Sequence, residues 1–568
     1  MEQKIVQYMA IIPNEYRRKN MDNNINLAEL LFGNIDKTPD YYEEKYPPRT
    51  LGGAPVTRIG PSPTGFVHLG NLYNAMIGER LAHQNGGRFF LRIEDTDSKR
   101  EVVGAVELII SSMDFFGIRF DEGASEDGDS GSYGPYRQRL RKDIYQCYAK
   151  ELVKKGLAYP CFCTEDELTQ MREEQISQKL NFGYYGKWAK CRSLTFDEVK
   201  RRIESGEPYV LRFRSSGDEQ NHVKVFDGIR GELSVSENYQ DFILLKSDGI
   251  PTYHFAHVID DHLMRTTHVI RGEEWLSTLP IHVQLFDALG FERPIYCHTA
   301  VLMKMDGDNK RKLSKRKDPE LGLDYYRSEG YVPAAVREYL MTVLNSNFEE
   351  WRLENPEADI NEFKFSLEKM SSSGALFDIM KFEDVSREVL LRTPACKIYD
   401  EFSSWLLEYD PEFYELFTKD REFSEKIIDI GRSGNRPRKD LTSWRQAREF
   451  LSFYFPETFR LESSYPEKVS EADRQEILGR YLDSFSIEDD SAAWFQKIRD
   501  ITADLGYAVK PKDFKKNPEL YKGSVSDVSA VIRIAITGRQ NSPDLWEICR
   551  ALGEAEMRAR ISRAQTND

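Results

Sequence analysis

Long apolar runs are missing from this 568-residue chain. No stretch approaches the roughly 18 consecutive apolar residues that a membrane-spanning helix needs, so we expect no contact with a membrane. The first thirty residues mix acids, bases and asparagines, without the apolar core and small-residue cleavage site of a signal peptide. The seven cysteines are an odd number and are mostly scattered, which favours a reducing compartment. These absences together predict a cytoplasmic protein.

Net positive charge is missing as well. The formal net charge is −15 and the isoelectric point is about 5.4, which speaks against nucleic acid because phosphate contacts depend on Lys and Arg. Local clusters offset this impression, since six of the eight residues from Lys310 to Lys317 are basic and smaller basic clusters lie at 137–142, 432–445 and near the C-terminus. One such cluster is usually a solvated face, but several on an acidic background favour a nucleic-acid partner.

Internal repeats and low-complexity tracts are also absent, so the chain divides by changes of pattern. Residues 1–53 end at a Pro-Pro breaker and look like an extension. A strand ("PVTRI"), an amphipathic helix from Leu69 and a second strand ("RFFLRI") follow, and they predict a parallel α/β sheet. A mixed segment over 138–250 interrupts this pattern, and helical patterns dominate beyond about 320.

The segment "GPSPTGFVHLGN" stands where the first strand passes into the first helix. Unpaired amide N–H groups and the positive end of the helix dipole make such a junction a natural phosphate site. Pro61 and Pro63 fix the loop in one shape, and His68 can donate hydrogen bonds to a phosphate. On this segment alone, a stiff turn capped by a histidine is an equally good interpretation.

A second basic motif, "KRKLSKRK", lies some 240 residues later. The small Ser314 between lysines suits a mobile loop that grips phosphate, where Lys315 can meet charge as it develops at an α-phosphate. Alone, the motif fits a plain surface loop or a nuclear-type basic run equally well.

Together the two motifs resemble the class I aminoacyl-tRNA synthetases. "RIGPSPTGFVHLGN", "LRIEDTD", "PTYHFAHVIDDHLM", "VIRGEEW" and "KLSKRK" occur in the order and approximate spacing seen in glutamyl-tRNA synthetases. The resemblance is strong over about 54–350 and extends to the helical remainder by length and character. It implies an α/β fold, with a Rossmann-type catalytic domain that carries an α+β insertion, followed by an all-α C-terminal anticodon-binding domain.

The resemblance also implies domain boundaries. The catalytic domain would span 54–137 and 251–305, interrupted by an insertion at 138–250 that binds the acceptor stem. A stem-contact region with the "KLSKR" loop would follow at 306–388, and the helical anticodon-binding domain would occupy 389–568, with 1–53 as the extension.

The family's site residues carry over to matching positions. The residues that would bind glutamate are Arg58, Ser62, Glu94, Tyr253, His257, Arg271 and Trp275. The residues that would contact ATP are Ser62, His68, Gly70, Asn71, Glu274, Lys312, Leu313, Ser314, Lys315 and Arg316. His68 and Lys315 are the catalytic candidates, and Arg438 is a candidate reader of the anticodon. Arg271 would pair with the substrate's γ-carboxylate, which a guanidinium fork matches in bidentate fashion.

Three positions depart from the family's pattern. Asn71 stands where the signature's second histidine would be, Gly60 replaces an alanine, and His257 occupies a position that is usually Asn. The last departure puts the contact between His257 and the bound glutamate in doubt.

Cys161, Cys163 and Cys191 raise the question of zinc, which some members of this family bind in the insertion. A closed zinc site needs four ligands, and Tyr185 is a weak fourth. Three reduced structural cysteines are therefore the preferred interpretation, with zinc as the alternative. The five histidines between 254 and 282 lack a metalloprotease spacing, and we expect them to be core or pocket residues.

The implied reaction joins L-glutamate to the 3′ end of tRNA-Glu through a glutamyl-adenylate, with ATP and Mg²⁺, in a monomer. Four alternatives remain open. The enzyme can also charge tRNA-Gln, it can be a tRNA-modifying glutamylase, or it can be a catalytically silent tRNA-binding protein. A glutaminyl-charging enzyme is disfavoured by Arg271 and by the "PSPTG" and "IEDTD" forms.

Overall fold

The computed structural model describes residues 14–97, 99–432 and 437–566. The chain forms two compact units, the first from residues up to 324 and 340–377, the second from 325–339 and 378 onward. The finer domain boundaries given above stay predictions. Within the described residues, no helix is long and apolar enough to cross a membrane.

The N-terminal extension is helical where it is described. Helices α1 (Asn14–Phe32) and α2 (Pro39–Lys45) precede the first strand. Glu43 of α2 accepts hydrogen bonds from Arg265 at 2.7 Å and Tyr148 at 3.2 Å, and it lies 2.7 Å from the His262 ring. The extension is thereby fastened to residues more than 100 positions later in the chain.

The predicted strand–helix–strand unit is confirmed. Its elements are β1 (Val56–Ile59), α3 (Leu69–His83), β2 (Arg88–Leu91), α4 (Ala105–Phe115), β3 (Glu122–Ser125) and β4 (Gly128–Ser130). Strands β1, β2 and β3 are parallel, and β4 returns antiparallel to β3. All four residues of β1 are buried, as expected for a strand covered on both faces of a parallel sheet. Helix α4 begins after Gly104, which has a φ of +81°.

The middle of the first unit mixes helices and short strands, as predicted. It contains α5 (Lys142–Lys154), β5 (Ala158–Cys161), α6 (Glu165–Ser177), α7 (Phe196–Glu204), β6 (Val210–Phe213), β7 (His222–Asp227), β8 (Gly231–Ser236) and β9 (Ile243–Leu245). Strands β5, β6 and β9 form one antiparallel sheet.

The parallel pattern then resumes with α8 (Tyr253–Leu263), β10 (His268–Gly272), α9 (Leu279–Leu289) and β11 (Ile295–Thr299). Strands β10 and β11 pair in parallel, and β11 also pairs with β7, so the predicted insertion contributes strands to this sheet. Thr267 donates its backbone N–H to the carbonyl of Val56 at 2.9 Å, which ties the start of β10 to β1.

The remaining elements carry the chain out of the sheet. They are β12 (Leu302–Asp306), β13 (Asn309–Lys312), α10 (Leu323–Glu329), α11 (Pro333–Leu344), α12 (Phe348–Glu354) and β14 (Ala375–Leu376). The hairpin of β12 and β13 holds the basic motif at its end, and β14 pairs in parallel with β12.

The second unit is helical in its described part after residue 378, as predicted. Its helices are α13 (Ile379–Arg392), α14 (Ala395–Tyr409), α15 (Pro411–Thr418), α16 (Arg421–Asp429), α17 (Trp444–Leu451), α18 (Glu471–Ser484), α19 (Ser491–Asp504), α20 (Pro511–Lys516), α21 (Val525–Thr537) and α22 (Leu545–Thr566). The apolar stretch "SSWLLEYDPEFYELF" breaks into two helices at Asp410, because Pro411 disfavours helical backbone in the residue before it.

Candidate active site

The residues predicted to bind the substrate glutamate lie near the carboxyl ends of parallel strands. Arg58 lies on β1, Glu94 follows β2, and Arg271 is paired in register with His298 near the ends of β10 and β11. In open α/β sheets, ligands bind at this carboxyl edge of the strands. The family resemblance predicted these residues, but it did not predict the contacts between them.

Arg58 belongs to a buried ionic network centred on Asp261. Asp261 accepts hydrogen bonds from Arg58 Nε at 3.1 Å and Nη2 at 3.0 Å, and from Arg92 Nη1 at 2.8 Å. Arg92 also donates to Glu94 at 3.0 Å. Burial alone would raise the pKa of Asp261, but Arg58 and Arg92 hold that pKa well below its ordinary value. Arg92 and Asp261 were not predicted, although each lies inside a quoted motif.

Glu94 is a carboxylate of this network whose ionisation is opposed by burial. Burial raises its pKa, and the neighbouring Arg92 and Arg58 only partly offset that effect. Its side chain is 9 % exposed. Glu94 therefore lies at the boundary between the buried network and the open edge of the sheet, where it can meet a positively charged ligand group.

Arg271 is held by imidazoles. Its Nε donates to His298 Nε2 at 3.0 Å, its Nη1 lies 3.1 Å from His282 Nδ1, and its guanidinium lies over the Tyr296 ring at 4.6 Å. Its Nη2 is buried and has no hydrogen-bond partner among the described residues. A buried donor left unpaired is costly, so this atom points to a ligand that supplies an acceptor.

Aromatic rings form a wall beside these arginines. The centroid of Tyr253 lies 4.4 Å from that of Trp275 and 5.7 Å from that of His257. His257 is fully buried, with Nδ1 2.6 Å from Asp261 and Nε2 3.0 Å from the Tyr296 hydroxyl. Burial lowers the pKa of His257 to about 3, so the ring is neutral and bridges the ionic network to Tyr296.

A second group of predicted residues lines one cavity of about 150 Å³. His68, Gly70, Glu274, Lys312 and Leu313 all contribute to its walls. His68 precedes α3, and its Nδ1 is buried without a hydrogen-bond partner among the described residues. Burial lowers the pKa of His68, and Lys312 adds to this effect while Glu274 opposes it. A Cβ on Gly70 would lie 3.0 Å from His68 Nδ1, so a larger residue at position 70 would crowd the His68 ring.

Two predicted ATP contacts lie in the loop and first turn. Asn71 accepts a hydrogen bond from the backbone N–H of His68 at 3.0 Å, and this contact shapes the start of α3. Ser62 is exposed in the proline-containing loop. A larger cavity of about 570 Å³, lined by α1, α5 and neighbouring loops, contains none of the predicted site residues.

The basic loop after β13 is held in place by hydrogen bonds to Asp318. Asp318 accepts from Arg311 Nη1 at 2.6 Å, from Arg311 Nη2 at 2.8 Å and from the backbone N–H of Ser314 at 2.8 Å. Lys315 and Arg316 are exposed, and Lys315 Nζ lies 4.0 Å from the centroid of the Phe66 ring. The "KLSKR" loop thus meets the proline-containing loop through a cation–π contact. Asp318 and Phe66 were not among the predicted site residues.

The three cysteines of the insertion converge. Their sulfur atoms all lie within 4.8 Å of one another, with Cys163 and Cys191 at 3.7 Å. The hydroxyl of Tyr184 lies 3.4 Å from the sulfurs of both Cys161 and Cys163. Tyr185, the fourth residue considered from the sequence, instead donates to the carbonyl of Asn181. The phenol that faces the cysteines is therefore Tyr184.

Arg438 lies in the second unit and is 12 % exposed. It forms an ion pair with Asp440 at 2.8 Å and lies over the Phe450 ring at 4.6 Å. Its neighbours 433–436 lie outside the described residues. Its role in tRNA recognition stays a prediction.

Comparison with known proteins agrees with this geometry. The family model for the class I tRNA synthetase (E and Q) catalytic domain matches residues 55–383, and an anticodon-binding domain model matches 444–565. A glutamate–tRNA ligase of Acetivibrio thermocellus is 57 % identical over 94 % of this chain and 99 % of its own length. A glutamate–tRNA ligase of Clostridium perfringens (strain 13) is 50 % identical over 94 % of this chain and 99 % of its own length.

A solved structure is also similar. The crystal structure of a glutamate tRNA ligase from Elizabethkingia meningosepticum, in complex with its amino acid, is 30 % identical with a TM-score of 0.73. The match covers 90 % of this chain and 99 % of the chain in that crystal structure. The sequence motifs, the sheet edge that gathers their residues and these matches lead to one conclusion: the chain belongs to the glutamate–tRNA ligases, a branch of the class I aminoacyl-tRNA synthetases.

Proposed function

We propose that the first unit forms glutamyl-adenylate from L-glutamate and ATP and then transfers the glutamyl group to the 3′ end of tRNA-Glu. The observation that carries this proposal is Arg271 near the end of β10, whose Nη2 is buried and has no hydrogen-bond partner among the described residues. A guanidinium atom in this position fits the γ-carboxylate of glutamate. The side-chain amide of glutamine carries no charge to pair with it.

In the first step, an oxygen of the α-carboxylate attacks the α-phosphorus of ATP, and pyrophosphate leaves. In the second, the terminal adenosine hydroxyl of the tRNA attacks the activated carbonyl, and AMP leaves. Neither step needs a nucleophile from the protein, so positioning and electrostatic stabilisation supply the catalysis. Magnesium accompanies the triphosphate as part of that substrate.

The residues divide between two substrates. Arg58, Ser62 and Glu94 bind the α-amino and α-carboxylate ends of glutamate, Arg271 binds its γ-carboxylate, and Tyr253, His257 and Trp275 form the wall. His68, Gly70, Asn71 and Glu274 face the nucleotide with the loop that contains Lys312, Leu313, Ser314, Lys315 and Arg316. The cavity shared by His68, Gly70, Glu274, Lys312 and Leu313 supports the second assignment.

Lys315 provides the test of the chemical step. Lys315→Ala should lower the rate of tRNA-dependent pyrophosphate exchange by about a hundredfold or more, because charge developing at the α-phosphate loses its partner. The affinity for tRNA should stay unchanged. Lys317→Ala, in the same exposed loop, is the matched control. Exchange that survives Lys315→Ala at the control's rate would refute the assignment.

The convergence of Cys161, Cys163 and Cys191 supports zinc as the alternative to three reduced structural cysteines. A tetrahedral zinc ion with Zn–S bonds of about 2.3 Å places its sulfurs about 3.8 Å apart, close to the 3.7 Å between Cys163 and Cys191. The Tyr184 hydroxyl would complete the ligand set with Cys161, Cys163 and Cys191. The ion would hold β5 and the loop before α7 together, and it has no part in the reaction.

The insertion would grip the acceptor end, and the helices of the second unit would read the anticodon. The match of 444–565 to an anticodon-binding domain supports the second assignment and disfavours a tRNA-modifying glutamylase without such a domain. A catalytically silent protein is disfavoured because the chain retains His68, Glu94, Arg271 and Lys315. Charging assays with purified tRNA-Glu and tRNA-Gln decide whether the enzyme accepts both.

A further inference from the structure

Arg271 is surrounded by groups that bind it without neutralising it. Its Nε and Nη1 contact the imidazoles of His298 and His282. Among the described residues, no carboxylate forms an ion pair with Arg271. This arrangement differs from that of Arg58 and Arg92, both of which donate directly to Asp261. The difference is informative because all three arginines are buried within the same unit.

The tautomers of both histidines follow from their partners. Since Arg271 can only donate, His298 must accept at Nε2, so its proton is on Nδ1. That Nδ1–H donates to Asp227 at 2.6 Å. Likewise His282 accepts at Nδ1 and carries its proton on Nε2, which lies 3.0 Å from His254 Nδ1.

Asp227 is built to enforce the tautomer of His298. One of its oxygens accepts the backbone N–H groups of Ile229 at 3.0 Å and Arg230 at 2.9 Å. The other accepts the backbone N–H of His298 at 3.1 Å in addition to the ring proton. Both oxygens therefore face donors only, and a neutral amide in this position would meet a donor whichever way it turned.

We propose that Asp227, His298 and His282 are positioning residues that orient Arg271 while leaving its positive charge available to the substrate. A carboxylate in contact with Arg271 would orient it equally well, but it would already satisfy the charge that discriminates glutamate from glutamine. The neutral imidazoles of His298 and His282 avoid this conflict, because they orient the guanidinium of Arg271 and leave its Nη2 for the incoming γ-carboxylate. The inference rests on the proposed role of Arg271.

The test compares the Michaelis constant for glutamate with that for ATP in tRNA-dependent pyrophosphate exchange. His298→Leu should raise the KM for glutamate about tenfold to a hundredfold, as expected for a lost hydrogen bond to a charged group. The KM for ATP should stay unchanged, and kcat should fall by less than about threefold. His298→Gln keeps an acceptor oxygen within reach of Arg271, and it should restore the KM to within about fivefold of the unaltered enzyme.

His83→Leu is the matched control, since His83 also pairs with an aspartate, Asp121 at 3.0 Å, on the far end of α3. It should leave both Michaelis constants unchanged. Asp227→Asn should raise the KM for glutamate as much as His298→Leu does, and more than His298→Gln does. If the leucine variant does not fold, the comparison of Asp227→Asn with His298→Gln still decides the test. The inference fails if His298→Gln is as impaired as Asp227→Asn, or if His298→Leu lowers kcat alone.

Arg271→Gln separates this inference from the function on which it rests. If Arg271→Gln leaves the KM for glutamate unchanged, the proposed role of Arg271 is wrong. If Arg271→Gln raises that constant while His298→Leu and Asp227→Asn do not, the role of Arg271 stands and the positioning residues are wrong. A lower preference for glutamate over glutamine in both Arg271→Gln and Asp227→Asn supports the role of Arg271 as well as that of the positioning residues.

Discussion

Replacing Asp261 with asparagine should destabilise the first unit strongly. The carboxylate belongs to a largely buried cluster in which Arg58, Arg92 and Arg141 face Glu94, Asp260 and Asp261. Asp261→Asn leaves one buried positive charge uncompensated, and it places an amide donor against arginine donors. Breaking a buried pair in this way costs about 3–5 kcal/mol.

The cost translates into a measurable shift. With an unfolding entropy of about 2.1 cal/mol/K per residue and roughly 360 residues in the unit, it lowers the apparent unfolding midpoint by about 4–7 °C. Differential scanning calorimetry measures this shift. Asp287→Asn is the matched control, because its ion pair with Arg293 is about one-third exposed on each side, and exposed pairs contribute little.

The pH dependence gives a second check. The folded-state pKa of Asp261 lies well below its ordinary value, so its stabilisation is present above about pH 4 and is lost as the pH falls through the folded-state pKa. The deficit of Asp261→Asn should therefore be constant from pH 5 to pH 8. A midpoint no lower than that of Asp287→Asn, or a deficit that disappears near neutral pH, would refute the reasoning.

Three other substitutions test separate parts of the molecule. Asp318→Asn should lower kcat in pyrophosphate exchange about tenfold by releasing the "KLSKR" loop, whereas Asp306→Asn, which removes the exposed partner of Arg311, should not. Cys191→Ser should reduce zinc from about one ion per chain to near none by mass spectrometry, and serine at the exposed Cys396 should leave the metal content unchanged. Glu94→Gln should raise the KM for glutamate about tenfold to a hundredfold without affecting that for ATP, and equal effects on both would contradict its place on the glutamate side.

The fold was predictable wherever the pattern of the chain is local. The strand–helix–strand unit, the interruption after residue 138 and the helical C-terminal part all follow from the spacing of apolar residues. Helix ends depended on backbone details, since Gly104 and Pro411 each decide where a helix begins. The cytoplasmic location, the monomeric state and the domain boundaries remain predictions.

The site was predictable as a set of residues but not as a set of contacts. Arg58, Glu94 and Arg271 were predicted from their match to the family's motifs, and the parallel strands bring them to one edge of the sheet. Asp261 lies 203 positions from Arg58, and Asp227 lies 71 positions from His298. Pairings over such distances in the chain depend on the completed sheet, and no local pattern indicates them.

The fastening of the N-terminal extension has a consequence for synthesis on the ribosome. Lys150 pairs with Glu29, and Arg265 pairs with Glu43. Helices α1 and α2 therefore wait for partners that are translated more than 100 and more than 200 residues later. Translation times of about 5–20 residues per second keep α2 without its full set of partners for roughly ten seconds or longer. Chaperones that bind nascent chains can therefore meet α1 and α2 before these partners are translated.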